Sequence, residues 1–397
     1  MTTMKIHIAL VSAQILANLI PILMERPDRV LLMVTPEMAA RRLERRLEKL
    51  LKEKGIGVKL CLDAPDSGLR EIKAYADTLA DQLIEEQADA DIVLNATGGT
   101  KLMSFGFVEA FRGIASHILY TDTAHRRIEY LPNAQASLPE PTPMGNVLDV
   151  PLYLAAQGFR FRRAASDEDS WREAVSQRKA TCKFFGKHIA DPYLQNFVGA
   201  MNRLVDRALD NIPGTYEDRL VAPDQAFETV PFGIWAQALG ELVNAGLITW
   251  QDGSPEVTFA SVEAARFVRG GWLEEYAWHT VKDAGAFDTR LGVEGVWADT
   301  RKTINEFDVL ACHINQLLFI ECKTPRISST NENEIVYKID SLSQDARGLF
   351  GATWLLSARK PTDVLIERSR QAGVRLIGPD ELAHLREWVL EWLAGRG

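Results

Sequence analysis

The chain has 397 residues, 46% hydrophobic and 25% charged, the balance of an ordinary globular protein of two or three domains. Its formal net charge of −9 excludes a whole-molecule positive field, so any nucleic-acid contact has to come from a local basic groove or from metal ions. No run approaches the ~20 apolar residues of a membrane span, and the start, MTTMKIHIALVSA, lacks the features of a signal peptide. The four cysteines (Cys61, Cys182, Cys312, Cys322) are dispersed, and no Cys/His pair has zinc-ligand spacing. These features predict a cytoplasmic protein with no membrane partner.

Along the first part of the chain, apolar β-rich runs alternate with helical patterns. Strands are expected at Lys5–Val11, Arg29–Thr35, Val58–Leu62, Ile92–Asn95, Ser116–Thr121 and Arg127–Leu131. Helices are expected at Glu37–Lys54, Ser67–Gln87 and Thr100–Arg112, with the segment VSAQILANLIPIL read as a loop after the first strand. Such alternation predicts a mostly parallel sheet covered by helices in a domain over 1–150. The proline-rich stretch LPNAQASLPEPTPMGNVLDV marks a connection, and 151–190 reads as linker and helices.

Over 191–268 a helix at Leu194–Leu209 precedes a second helix, a strand LITW, a DG turn and a strand EVTF. This helix-plus-hairpin pattern is winged-helix-like, although the helix is poor in Arg and Lys and ill suited to base readout. A third domain, 269–397, is α/β with a hairpin at its centre. It combines a helix Trp272–Ala284, strands at Val293–Ala298, Glu306–Cys312, Leu317–Lys323, Thr353–Ser357 and Val374–Ile377, and helices at Glu334–Arg347, Asp363–Ala372 and Glu381–Leu393.

The chemistry concentrates in INEFDVLACHINQLLFIECKT. Glu321 and Lys323 are two apart on a strand and share a face. A two-residue turn at Ile314-Asn315 sets Asp308 opposite Glu321, and a turn one step later sets it opposite Lys323. Either register gathers the three polar groups on one face of an apolar hairpin. Close carboxylates are costly unless paired or bound to a cation. Mg²⁺ or Mn²⁺ suits their hard oxygens, and a lysine beside such an ion can orient water or stabilise developing charge. Glu274 and Glu275 on the preceding helix, Glu294 and Glu306 are further candidates for the metal shell.

The order helix-Glu, Asp, Glu-x-Lys resembles the PD-(D/E)xK restriction-endonuclease-like superfamily. Within it, GGWLEEY, NEFDVL and IECKT resemble the CRISPR-associated ancillary nucleases activated by cyclic oligoadenylate. The resemblance implies catalytic roles for Glu274, Asp308, Glu321 and Lys323, with Asp308, Glu321 and Glu274 holding Mn²⁺ or Mg²⁺. It selects Glu274 over Glu275. The strict Pro-Asp pair is absent, because Phe307 precedes Asp308.

A second constellation is DIVLNATGGTKLMSFGF, in which a strand ends in a glycine-rich turn and a helix opens near Thr100. Glycines admit a ligand close to the backbone, and a helix N-terminus attracts phosphate. The segment matches neither the GxGxxG fingerprint nor a P-loop. Thr97, Thr100 and Lys101 add polar donors, and Ser12 and Gln14 lie near the same sheet edge by topology. NATGGTKLM resembles the ligand-binding segment of CARF domains, Rossmann-like sensors of cyclic oligoadenylates that clasp a symmetric ring across a homodimer. That resemblance implies binding by Gly98, Gly99, Thr100 and Lys101, with Ser12, Gln14 and Thr97 in support, and cyclic tetra-adenylate as allosteric activator.

The expectation is a CARF sensor, a winged-helix-like middle segment and a restriction-endonuclease-like domain. Together they would form a homodimeric, ring-activated, metal-dependent endonuclease cutting DNA and/or RNA with low sequence specificity in type III CRISPR antiviral defence. The alternative is a CARF-type winged-helix transcription regulator with an inactive nuclease fold.

Overall fold

The computed structural model describes residues 3–87, 89–134, 137–212, 218–298, 304–324 and 351–396. The expected helix Glu334–Arg347 lies outside them. The chain separates into two compact units. The first is Met1–Arg160 with Trp297–Asp299 and His313–Gln316; the second is Phe161–Val296 with Thr300–Cys312 and Leu317–Gly397.

The first unit is built on a seven-stranded sheet. Its strands are β1 (Lys5–Leu10), β2 (Arg29–Met33), β3 (Gly57–Cys61), β4 (Asp91–Asn95), β5 (His117–Asp122), β6 (Arg127–Leu131) and β7 (Thr142–Pro143), in the order β3-β2-β1-β4-β5-β6-β7. β1 to β5 are parallel, and β6 and β7 add antiparallel. The order reverses between β1 and β4, and in open α/β sheets ligands bind at the carboxyl ends of strands at such a switch point. Apolar positions on these strands, including Ile6, Ile8, Leu31 and Leu94, close a core with Leu79, Met103 and Phe107 from the helices Leu69–Glu86 and Lys101–Phe111. These two helices approach closely at Gly106, where an added Cβ would lie 2.7 Å from Ile72 Cγ2.

Three local readings change. The segment after β1 is a helix, Ile15–Glu25, despite Pro21, and every residue from Ile15 to Leu23 is buried. The expected helix Glu37–Lys54 is two helices, Pro36–Ala40 and Leu43–Glu53. Thr35 Oγ1 caps the first by accepting from the Met38 amide at 3.3 Å, and Arg42, at φ 55°, breaks the turn between them. In the proline-rich connection, Thr142–Pro143 pairs with β6 as an edge strand. Asp149 then caps the helix Val150–Gln157.

In the second unit, β8 (Phe159–Ala164) emerges from the expected linker and helices, which also hold the helix Asp169–His188. After the helix Pro192–Ala208 come three short strands, β9 (Leu209–Asn211), β10 (Asp218–Leu220) and β11 (Asp224–Ala226). The helix Ile234–Asn244 then leads into β12 (Ile248–Trp250) and β13 (Glu256–Phe259), and β11, β13 and β12 form an antiparallel sheet. The order of helix and hairpin is the one expected from the sequence, and the helix, IWAQALGELVN, has no Lys or Arg.

The remaining strands are β14 (Asp288–Trp297), β15 (Asn305–His313), β16 (Gln316–Lys323), β17 (Gly351–Ser357) and β18 (Val374–Ile377). They form a six-stranded sheet ordered β18-β17-β16-β15-β14-β8. β14 and β15 are antiparallel, and β16, β17 and β18 are parallel. The expected last helix is divided into Pro379–Leu382 and Leu385–Leu393. Trp272, Leu273, Ala277 and Val281 of the helix Trp272–Ala284 pack in one core with Val309, Leu318, Ile320 and Leu356 of the sheet, which holds that helix beside the hairpin.

Candidate active site and ligand-binding turn

Between β15 and β16 only Ile314 and Asn315 remain, both left-handed at φ 45° and 59°. A two-residue turn of this kind matches the twist of an antiparallel hairpin, and carried along the strands it sets Asp308 opposite Glu321. Asp308 is half-buried and Glu321 buried. The Cys322 amide donates to Asp308 Oδ2 at 2.7 Å, and Lys323 Nζ donates to Glu321 Oε1 at 2.6 Å.

Glu274 joins them from the first turn of the helix Trp272–Ala284, which follows a π-helical turn at Phe267–Gly271. Burial raises the Glu274 carboxyl to about 7, with the Glu306 and Glu321 carboxylates adding to the shift and Lys323 opposing it. Asp308 is pushed well above the ordinary carboxyl range by burial and then by Glu321 and Glu274. Burial favours a neutral Lys323 amine, but Glu321 and Asp308 outweigh it and hold the ammonium charged. The four residues named from the sequence thus share one electrostatic environment, to which Glu306 also contributes, and its acids outnumber the single cation Lys323. The donors are hard oxygens, and the surplus negative charge is what Mg²⁺ or Mn²⁺ relieves, so the residues present fit such an ion.

The other acids take different places. Glu275 points to the helix Asp169–His188, where Arg178 Nε and Nη2 donate to its two oxygens at 3.1 and 2.6 Å. Glu294 pairs with Arg163 of β8, and Glu306, directly across from Glu294, is exposed. Cys182, Glu275 and His279 also bring their ligand atoms within 4.8 Å of one another. Glu275 in this cluster is ion-paired to the buried Arg178 guanidinium at 2.6 Å, so its charge is met within the protein.

The glycine-rich turn follows β4 at the switch point. Its Asn95 Oδ1 accepts from the Thr97 amide at 3.0 Å, and Thr100 Oγ1 caps the next helix by accepting from the Met103 amide at 3.2 Å. A Cβ on Gly98 would lie 1.8 Å from the Leu10 carbonyl oxygen, so glycine is required where the turn crosses the end of β1. Gly99, at φ 70°, and Lys101 are exposed. The Thr97 hydroxyl is turned inward, accepting from the Thr121 amide at 2.8 Å. Ser12 and Gln14 lie between β1 and the helix Ile15–Glu25, with Ser12 Oγ donating to the Gln14 carbonyl at 3.5 Å. Since β1 and β4 are neighbours, both groups of residues sit at the same edge of the sheet.

A cavity of about 800 Å³ runs from this turn along the helix Lys101–Phe111, lined by Thr97, Gly99 and Lys101 and by Ser104, Phe105 and Tyr120; Gly98, Thr100, Ser12 and Gln14 are not among its lining residues. Sequence reasoning missed Ser104, Phe105 and Tyr120. Their signal was faint: Phe105 is one helical turn beyond Lys101 and is 65% exposed, unusual for its type.

One chain thus carries a sheet with a glycine-rich turn at its switch point and a sheet with an acid-lysine hairpin, and a family model matches the region of each. Residues 6–151 match the model of the Card1 CARF domain, and residues 261–395 match that of the Card1-like endonuclease domain. The chain belongs to the Card1-like CRISPR-associated nucleases, a CARF domain followed by an endonuclease domain.

Among solved structures, Can2 from Sulfobacillus thermosulfidooxidans in complex with cyclic tetra-adenylate is 25% identical, with a TM-score of 0.70 over 97% of this chain and 99% of its own. The Vibrio cholerae protein VC1899 is similar in fold, with a TM-score of 0.82, 22% identity and 99% of both chains covered. A type III CRISPR defence DNA nuclease activated by cyclic oligoadenylate shares the fold at a TM-score of 0.56 and 17% identity, over 98% of this chain and 52% of that one. No curated protein sequence matches the chain.

Proposed function

We propose that the protein is a metal-dependent endonuclease of type III CRISPR defence, cutting DNA and/or RNA with low sequence specificity when cyclic tetra-adenylate occupies its CARF domain. The observation that carries this reading is the convergence of Glu274, Asp308, Glu321 and Lys323 in one site. The family match and the Can2 complex support the activator. The ring binds at the switch point, with its phosphates on Gly98, Gly99, Thr100 and Lys101, Ser12 and Gln14 beside them, and Thr97 shaping the turn. A homodimer supplies the site twice to a symmetric ring.

In the nuclease site Asp308, Glu321 and Glu274 hold Mn²⁺ or Mg²⁺. When bound, that ion supplies charge neutralisation at phosphorus and a more acidic water. Asp308 is oriented by the Cys322 amide, which leaves its second oxygen for ligation. Lys323, kept charged by its acidic neighbours, acts at neutral pH as a hydrogen-bond donor that stabilises charge developing on the scissile phosphate. The helix Ile234–Asn244 lacks the basic residues a DNA-reading helix needs, which weighs against the regulator.

Substituting Glu321→Ala or Lys323→Ala tests the assignment. Both are expected to abolish cleavage while ring binding, measured by titration calorimetry, stays at the wild-type value; normal cutting by both would refute the site.

A further inference from the structure

The turn at the hairpin tip is not free. His313–Gln316 belongs to the first unit, and Asn315, only 1% exposed, turns its carboxamide to the segment that follows β7. Its Oδ1 accepts from the amides of Val147 and Leu148 at 3.0 and 3.1 Å, and its Nδ2 donates to the Gly145 carbonyl at 2.8 Å. In return the Ile314 amide donates to Asn146 Oδ1 at 2.6 Å, and Arg126 Nη2 donates to Gln316 Oε1 at 2.6 Å. A solvent-exposed Asn-type turn needs none of these bonds, and leaving so many buried polar groups unpaired would be costly.

The clamped segment is tied back to the glycine-rich turn through hydrogen bonds and strand pairing. Thr97 Oγ1 accepts from the Thr121 amide of β5, Thr121 pairs with Ile128 of β6, and Ile128 pairs with Thr142 of β7. The Met144 amide then bonds the Arg126 carbonyl at 2.9 Å, one residue before Gly145. From Asn315 the two strands of the hairpin run directly to Asp308 and Glu321.

We infer that Asn315 is the element that couples ring binding to the nuclease hairpin. The inference rests on the ring-activated reading above. A ligand that settles the turn after β4 favours one arrangement of β5, β6 and β7, and the Asn315 clamp passes that preference into the strands bearing the acids.

The test uses the full chain and two variants. Asn315→Gly keeps a residue suited to the left-handed turn and deletes all three side-chain bonds. Asn146→Ala removes the reciprocal acceptor from outside the hairpin, and carries the test if the first variant does not fold. Cleavage rates are measured with Mn²⁺, with and without cyclic tetra-adenylate, alongside ring affinity. The expected result is a roughly tenfold or greater fall in the ratio of the two rates for Asn315→Gly, and a smaller fall for Asn146→Ala, with the ring still bound. A folded Asn315→Gly, or failing it Asn146→Ala, with an unchanged ratio overturns the coupling role. A wild-type chain that cuts equally with and without the ring overturns the ring-activated reading itself, and the coupling role with it.

Discussion

At the scale of the residue, the account turns on a small number of acids in unfavourable company. Glu274 sits at about 7 because burial and neighbouring carboxylates resist its ionisation. Its folded value lies above the ordinary 4.5, so the metal-free protein binds the proton more tightly than the unfolded chain does. The associated stability is full below pH 4.5 and is lost as pH rises toward 7. A divalent ion bound by Glu274, as proposed, would take the place of that proton. Its stabilising effect, read as the rise in melting temperature on adding Mn²⁺, is therefore expected to be larger at pH 8 than at pH 5. Glu274→Gln should flatten that difference, and an equal rise at both values in the wild type would contradict it. Burial raises the Glu275 carboxyl to about 7 as well, but Arg178 opposes the shift and donates to both of its oxygens, so this acid has a cation of its own. Arg178→Ala strands the carboxylate, and denaturant unfolding should show a loss of roughly 3–5 kcal/mol.

At the scale of the element, close approaches decide what is tolerated. Gly106 lets the helices Lys101–Phe111 and Leu69–Glu86 meet, and Gly98 lets the glycine-rich turn pass over the Leu10 carbonyl. Gly106→Ala is expected to destabilise by about 1–3 kcal/mol through overpacking. Gly98→Ala cannot fit without moving backbone, so it should weaken ring binding and raise the ring concentration needed for cleavage; unchanged ring affinity in calorimetry would count against the turn.

The same elements show what could be read from sequence. The hairpin was legible because two apolar strands flank a short polar turn, and its side-chain alternation places Asp308, Glu321 and Lys323 together. The helix Ile15–Glu25 was not legible, because it is apolar on nearly every side and contains Pro21, so no 3.6-residue pattern shows. β8 hid in FRFRRA, where a two-residue alternation was masked by charge. The break at Arg42 carries neither glycine nor proline. Glu274 and Glu275 could be separated only by resemblance, whereas the structure supplies the physical reason: Arg178 already holds Glu275. Asn315 looked like an ordinary turn residue, since its partners lie more than 160 residues away.

At the scale of the whole molecule, a sensor sheet with its switch point and a nuclease sheet with its acidic hairpin are carried by one chain with a net charge of −9. Such a protein has little general attraction for nucleic acid, which suits the proposed role of an enzyme idle until the ring binds. The most direct test is cleavage of plasmid DNA and of labelled single-stranded DNA and RNA in Mn²⁺, with and without cyclic tetra-adenylate, by the wild type and by Glu321→Ala. The account predicts cutting that needs the ring, the metal and Glu321 together. Equal cutting without the ring, or by Glu321→Ala, would contradict it.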